Sequence, residues 1–361
     1  MRTGALQIWD ARSPADHERW CTVHRAWPDR EVFAHPAYVG LLARREERPV
    51  CAFMETPQGG ILYPLIQRPL PGTARHTDLT TPYGYGGPFA TGDAPEHAVA
   101  FWRQFDEWAR SERVVSEFVR LALFPEGLLP HPGEREEKQL NVVRSLDLSE
   151  DRLWRDVDHK VRKNVARARR EGVTVEVDPA GSSIAEFARI YEATMDRRGA
   201  RADLHFSEAF FEAIRSRLAG HFVFFHARLA GRIVSSELVL VSATTVYSFL
   251  GGTDREAFVV RPNDLLKYEA MLWAKRAGKR RYVLGGGAAP GDGIFRYKRA
   301  FAPGGLVPFC VARRVHDTAL YTGLAATRRR CGERLDPAWS PDPGYFPAYR
   351  AQLPRPAAHD R

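Results

Sequence analysis

Near the end of the sequence a lysine stands among aromatic and basic side chains, in the run Gly291-Asp292-Gly293-Ile294-Phe295-Arg296-Tyr297-Lys298-Arg299-Ala300-Phe301. An ammonium beside rings, in a partly dry site, can stabilise an oxyanion, an interaction contributing on the order of 3 kcal/mol. The same lysine can equally reach out of an apolar surface into solvent. Just ahead lies Gly285-Gly286-Gly287, whose backbone amides can face a ligand at the carboxyl end of a strand. No helix follows in GxGxxG register, so a dinucleotide fingerprint is not supported.

Two other stretches carry chemistry. Lys160, Lys163, Arg167 and Arg170 recur at three- and four-residue steps, so on a helix they share a side where they can meet successive phosphates of an RNA or a pyrophosphate. A solvated helix face is the plainer alternative. The run Thr80-Thr81-Pro82-Tyr83-Gly84-Tyr85-Gly86-Gly87-Pro88 suits a substrate-lining loop, or a tight turn with two packed tyrosines. HExxH, GxSxG, the Walker phosphate loop and paired metal-ligand spacings do not occur, so metal and serine-hydrolase chemistry are not expected. His35, His205, His221 and His226 are scattered and read as structural or exposed.

The elements that must position these residues follow from periodicity. Val50 to Met54 and Gly60 to Gln67 read as a hairpin, Glu96 to Arg113 as a helix with Phe101, Phe105, Trp108 and Ala109 inward, and Val114 to Phe124 as a buried strand. Residues 126 to 137, rich in Pro, Gly and charge, read as a surface loop. Ser149 can cap a basic helix running from Glu150 to about Glu171, which Gly172 ends. Beyond it the pattern predicts a strand at Val173 to Val177 and helices at Ile184 to Arg197 and Ser207 to Leu218. Strands at Phe222 to Leu229, Arg232 to Val241 and Thr245 to Leu250 come next, then a helix opened by Pro262 and closed by Gly278, and a strand at Arg281 to Leu284. The tail from Leu335 is rich in proline, including Pro356, and reads as largely irregular.

A chain of 361 residues exceeds what one core usually organises, so two domains are expected. The boundaries read as 1–148, 149–315, and 316–361 for a last helix and tail packing back on the first domain. Hydrophobic residues at 44% and charged residues at 27% are ordinary for a folded protein. No apolar run can span a bilayer and no secretory leader is evident, so the expected location is the cytoplasm. The cysteines Cys21, Cys51, Cys310 and Cys331 form no CxxC pair and read as reduced packing residues. A net charge of +9 and a pI near 9.5 favour polyanionic partners, although an arginine-rich composition alone is weak evidence.

The order αβααβββαβ is what an N-acetyltransferase-like (GNAT) core requires. Together with the Asp147-Leu148-Ser149 boundary, the RKNVARARREGV helix, the TPYGYGGP loop and GGG followed by DGIFRYKRAF, it makes the chain resemble the FemABX family of aminoacyl-tRNA-dependent transferases. The resemblance runs from about His35 to Val315 and is strongest over Trp154 to Val177 and Leu284 to Phe301.

It implies an α/β fold of two GNAT-like domains, with mixed, largely antiparallel sheets flanked by helices and an interdomain cleft. The implied activity is transfer of an amino acid from aminoacyl-tRNA to an amine, in a peptidoglycan precursor or a peptide or nucleoside natural product. Aminoacyl-tRNA is then a co-substrate, with no further cofactor, no metal and no DNA partner, in a monomer. The family's aromatic-lysine pair falls on Tyr297 and Lys298. Tyr83, Tyr85, Arg197, Arg198 and Asp292 would border the acceptor, and Lys160, Lys163, Arg167 and Arg170 would hold the tRNA.

Two departures qualify the resemblance. A long charged heptad insertion is absent, and so is the GNAT coenzyme A signature, Gln or Arg followed by xxGx and then Gly or Ala. The stretch Gly251-Gly252-Thr253-Asp254-Arg255 to Arg261-Pro262-Asn263 stands in its place. An acyl-coenzyme A-dependent GNAT N-acyltransferase is therefore the first competing reading, and a non-catalytic RNA or polysaccharide binder the second.

Overall fold

A computed structural model describes residues 4–73, 75–289 and 291–354; the end of the proline-rich tail, with Pro356, lies outside the described residues. The chain begins β1 (Gln7–Asp10), α1 (Pro14–Ala26), α2 (Pro36–Leu42), β2 (Arg48–Thr56), β3 (Gly59–Pro69), β4 (Thr77–Thr80), β5 (Phe89–Thr91), α3 (Ala98–Ser111), β6 (Val114–Arg120) and β7 (Glu134–Ser145). It continues α4 (Glu150–Asp156), α5 (His159–Arg170), β8 (Thr174–Asp178), α6 (Ile184–Arg198), α7 (Glu208–Arg217), β9 (Phe222–Leu229), β10 (Arg232–Val241) and β11 (Thr245–Thr253). The last elements are α8 (Pro262–Arg276), β12 (Arg281–Gly285), α9 (Gly293–Arg299), β13 (Leu306–Val315) and α10 (Thr318–Leu335). Among the described residues no helix is long and apolar enough to cross a membrane.

Contacts divide the chain into two units, one of residues 1–23, 42–138 and 310–361, the other of 24–41 and 139–309. Residues 24–41 join the second unit through specific bonds. The Glu31 carboxylate accepts from Ser242 Oγ at 2.6 Å and Tyr247 OH at 2.8 Å, Ala243 N–H donates to Arg30 O, and Phe33 meets Tyr247 edge-on at 4.7 Å.

In the first unit β2 and β3 form the expected antiparallel hairpin, with Val50 opposite Leu65 and Ala52 opposite Tyr63. Strands run in the order β1-β2-β3-β4-β6, β5 pairs β3, and β13 pairs β6. Phe101, Phe105 and Ala109 of α3 are fully buried in the unit's core with Val50, Tyr63 and Leu65.

In the second unit the sheet runs β7-β12-β11-β10-β9-β8. The alternation in β9 sends Phe225 and Ala227 into the core shared with α5 and α8, and Phe224 against Phe187 of α6 at 4.9 Å. Helices therefore cover both faces.

Two expectations fail locally. The basic helix is broken: Val157 is extended and Asp158 caps a new helix, its carboxylate accepting from Lys160 N at 2.7 Å. Arg162 then donates to the carbonyls of Arg155 and Val157, satisfying the end of α4. The stretch read as a loop to Glu137 turns into β7 from Glu134, because strand pairing supplies backbone bonds that its charged composition does not advertise. Cys51 and Cys310 are buried as packing residues, whereas Cys331 is exposed.

Candidate active site

The βαβ unit β11-α8-β12 carries the site. β11 and β12 are parallel, with Thr245 to Tyr247 opposite Arg281 to Val283; β11 continues to Thr253 beyond that pairing. Ser248, the next residue, accepts from Lys267 Nζ of α8 at 2.9 Å. Lys267 also donates to Glu237 of β10 at 2.6 Å, and Tyr282 OH donates to the same carboxylate oxygen at 3.0 Å. Glu237 and Lys267 are buried, so a charged pair sits inside the unit.

Lys298 approaches this pair from α9. Its Nζ donates to Gly286 O at 2.7 Å, in the glycine run that ends β12. Burial, and next the like charge of Lys267, pull its pKa down to about 8, while Glu237 and Asp292 act the other way. An ammonium has three donors; the carbonyl takes one.

The loop between β12 and α9 exists to hold that position. Asp292 caps α9, its carboxylate accepting from Phe295 N at 2.7 Å, Ala288 N at 2.8 Å and Ala289 N at 3.2 Å. These amides, Phe295's foremost, hold the carboxyl below the usual range. Gly287 is required because a Cβ there would lie 2.3 Å from Asp292 Oδ1. Tyr297 packs on the core, and its hydroxyl exchanges bonds with Asn263, accepting from Nδ2 at 2.9 Å. That ties α9 to the start of α8.

The other candidates lie elsewhere. Lys160, Lys163 and Arg170 are exposed and Arg167 half-buried, while Val161, Val165 and Ala168 on the opposite side of α5 are buried. Arg167 lies 3.7 Å from Glu171. Arg197 donates to Thr194 Oγ1 and Thr253 O, both at 3.1 Å, and stacks on Phe258, so it clamps α6 to the end of β11. Arg198 is exposed. Tyr83 and Tyr85 belong to the first unit, Tyr83 exposed and Tyr85 half-buried with burial pushing its pKa up. In the second unit, then, Tyr297, Lys298 and Asp292 share one short helix, apart in sequence from the α5 cations and the α6 arginines.

Sequence reasoning missed Glu237 and Lys267. Their signal was present: a lone glutamate in Ile233-Val234-Ser235-Ser236-Glu237-Leu238-Val239-Leu240, and a lysine in an apolar stretch of α8. Burying either alone is costly, so each announced a partner.

The start of α8 bears on coenzyme A. Pro262 at its first position has no N–H. Buried Asp264 follows and accepts from Asn164 Nδ2 at 3.0 Å, its pKa raised by burial. A Cβ on Gly252 would lie 2.6 Å from Thr194 Oγ1, so this glycine serves the packing of α6. An anion meets a carboxylate here, not an open row of amides.

Residues 155–299 match the family model described as acetyltransferase (GNAT) domain. This stretch is thus similar to a GNAT domain. Solved structures extend the likeness over most of the chain. FemX aligns with a TM-score of 0.64 at 14% identity, covering 89% of this chain and 99% of that one. L-PGS from Bacillus licheniformis aligns at 0.58 and 14%, covering 89% and 98%. The C-terminal domain of a putative lysylphosphatidylglycerol synthetase from Agrobacterium fabrum aligns at 0.53 and 16%, covering 84% and 93%. No curated protein matches the sequence. The fold is thus FemX-like.

Proposed function

We propose that the protein is an aminoacyltransferase that takes an amino acid from aminoacyl-tRNA and forms an amide on an amine acceptor. The observation that carries this reading is Lys298, a half-buried ammonium tethered to Gly286 O and with its pKa lowered to about 8. The FemX-like fold and the likeness to the C-terminal domain of a putative lysylphosphatidylglycerol synthetase support an aminoacyl donor. The obstructed start of α8 argues against acyl-coenzyme A.

An aminoacyl ester is already activated, so alignment and stabilisation of charge are the enzyme's main tasks. The acceptor amine attacks the ester carbon, and the carbonyl oxygen becomes an oxyanion facing the Lys298 ammonium. Collapse expels the terminal ribose oxygen of the tRNA, and the proton lost by the amine passes to that leaving group or to solvent. Lys160, Lys163, Arg167 and Arg170 bind acceptor-stem phosphates. The acceptor class is a peptidoglycan precursor or a peptide or nucleoside intermediate.

The test supplies a panel of aminoacyl-tRNAs and amine acceptors and reads amide product by mass. Product should vanish on ribonuclease treatment and should not form from acyl-coenzyme A. Replacing Lys160, Lys163 and Arg170 by serine should lower the slope of log affinity against log salt by roughly 3, since each duplex phosphate contact contributes about 0.9. Ribonuclease-resistant product made from acyl-coenzyme A would overturn the proposal.

A further inference from the structure

Away from the lysine site, three histidines far apart in the sequence converge within the second unit. His24 lies in the last turn of α1, His35 immediately before Pro36 of α2, and His221 immediately before β9. Ring centroids are 4.9 Å apart for His24 and His35, 5.1 Å for His35 and His221, and 5.7 Å for His24 and His221. One ring nitrogen from each lies within 4.8 Å of the others. His24 is buried, while His35 and His221 are half-buried, so the cluster has a closed side and an open one.

We propose that His24, His35 and His221 form a binding site for one divalent transition-metal ion of the kind imidazole prefers, with Zn²⁺ as its representative. The hydrogen bonds around His24 and His221 are those a metal-ligating histidine needs. His24 Nε2 donates to Glu31 O at 2.8 Å and His221 Nδ1 donates to Val241 O at 3.2 Å. Backbone acceptors of this sort fix the tautomer and leave the other nitrogen, His24 Nδ1 and His221 Nε2, with its lone pair. His35 Nδ1 accepts from Ala37 N at 3.2 Å; coordination through Nε2 shifts the ring proton to Nδ1 and gives up that long contact.

The surroundings also disfavour the charged form of His24 and His221. Burial lowers the His24 pKa to about 4 and lowers that of His221, with Arg30 adding to both and Lys279 to His221. Neutral imidazoles can ligate without first losing a proton.

The surroundings select the metal class and bound its affinity. Lys279 Nζ donates to Ser242 O and Ala243 O, and the Glu31 carboxylate is taken by Ser242 and Tyr247, with Arg281 nearby. An all-nitrogen donor set excludes Mg²⁺ and Ca²⁺, which require oxygen ligands. With Arg30 and Lys279 near and three neutral ligands, binding should be weaker than at thiolate-containing sites.

Tetrahedral Zn–N bonds of about 2.0–2.1 Å bring ligand nitrogens to about 3.4 Å, so the rings must close by roughly an ångström. Half-buried His35 and His221 have the freedom to do so, and the open side leaves the fourth position to water. The ion would pin residues 24–41 to the body of their unit, adding to the bonds made by Arg30 and Glu31.

The experiment uses the full chain, stripped with EDTA and desalted, and titrated with ZnCl₂ by calorimetry and with CoCl₂ by visible absorbance. One ion should bind per chain, with tetrahedral Co²⁺ bands and a rise in melting temperature on Zn²⁺ addition. His35→Ala and His221→Ala should each abolish saturable binding, whereas His205→Ala, at an exposed histidine, should keep it. Melting of the stripped variants checks folding; where an alanine variant fails to fold, His35→Gln and His221→Gln replace it. Absence of binding at one equivalent, or binding that persists in both the His35 and His221 variants, overturns the proposal.

Discussion

Each unit holds a charged side chain away from bulk water, wholly in one case and partly in the other, and the two are treated in opposite ways. In the first, Glu117 of β6 is wholly buried and saturated: His131 Nε2 lies 2.8 Å from Oε1, His316 Nε2 lies 3.0 Å from Oε2, and Tyr63 OH donates to Oε1. Burial alone would push its pKa up, yet His131 and then His316 outweigh it and hold the carboxyl well below its usual range. In the second, Lys298 has the carbonyl of Gly286 for a partner, and burial with Lys267 lowers its pKa toward neutrality. A saturated charge is locked in one state and serves stability; a half-satisfied one is poised to meet charge that arrives later.

The largest effect should come from the saturated side. Glu117→Leu should lower the unfolding free energy by about 3–5 kcal/mol, because His131, His316 and Tyr63 lose a shared acceptor in the interior. Urea denaturation measures this. Its sign with pH follows from the depressed folded-state pKa. Glu117 contributes fully above its unfolded value, near 4.5, and the contribution is lost as pH falls through the folded value. Wild type should thus weaken in acid more than the variant does. A loss below about 1 kcal/mol, the range of exposed pairs, would break the contrast.

Lys298 should behave inversely. Lys298→Met should lower turnover by about 10²–10³-fold, as for loss of one oxyanion donor, with melting temperature unchanged or higher because a buried charge is gone. In wild type the rate should decline as pH rises past about 8, where Lys298 loses its proton, and the variant's residual rate should lack that limb. Full turnover in a folded Lys298→Met would remove the oxyanion role and leave a structural lysine.

The two regions also differ in how legible they were. Lys298 stood out because a glycine run and flanking rings are local features. The strands β8 to β12 and helices α6 to α8 followed from periodicity within a residue or so, except that β11 runs on from Leu250 to Thr253, since α5, α6, α7 and α8 cover both faces of the sheet and the alternation in β9 had to be regular. Glu117 was hidden. Its partner Tyr63 is brought to it by the β3-β4-β6 order, His316 by the pairing of β13 with β6, and His131 by the loop before β7, and long-range register is invisible to local pattern. The same blindness concealed the meeting of His24, His35 and His221 and the assignment of residues 24–41 to the second unit. The break at Asp158 was readable in principle, as an aspartate two residues before Lys160 with a hydrophobic Val157 ahead, but the continuous run of basic residues masked it.

The smallest effect is also the sharpest test of whether Lys298 is tuned by its neighbours. Asp292 does two things: it caps α9 through three amides, and its charge raises the Lys298 pKa. Asparagine caps helices about as well as aspartate, and alanine does not. Asp292→Asn should therefore keep stability and shift the alkaline limb of kcat/KM to lower pH by less than about one unit, a shift of one unit corresponding to about 1.4 kcal/mol. Asp292→Ala should show the same shift and in addition lose about 1 kcal/mol of stability with the cap. A limb that stays fixed in both variants would mean that the titrating group is not Lys298, and a rise in acceptor KM without any shift would return Asp292 to the acceptor site.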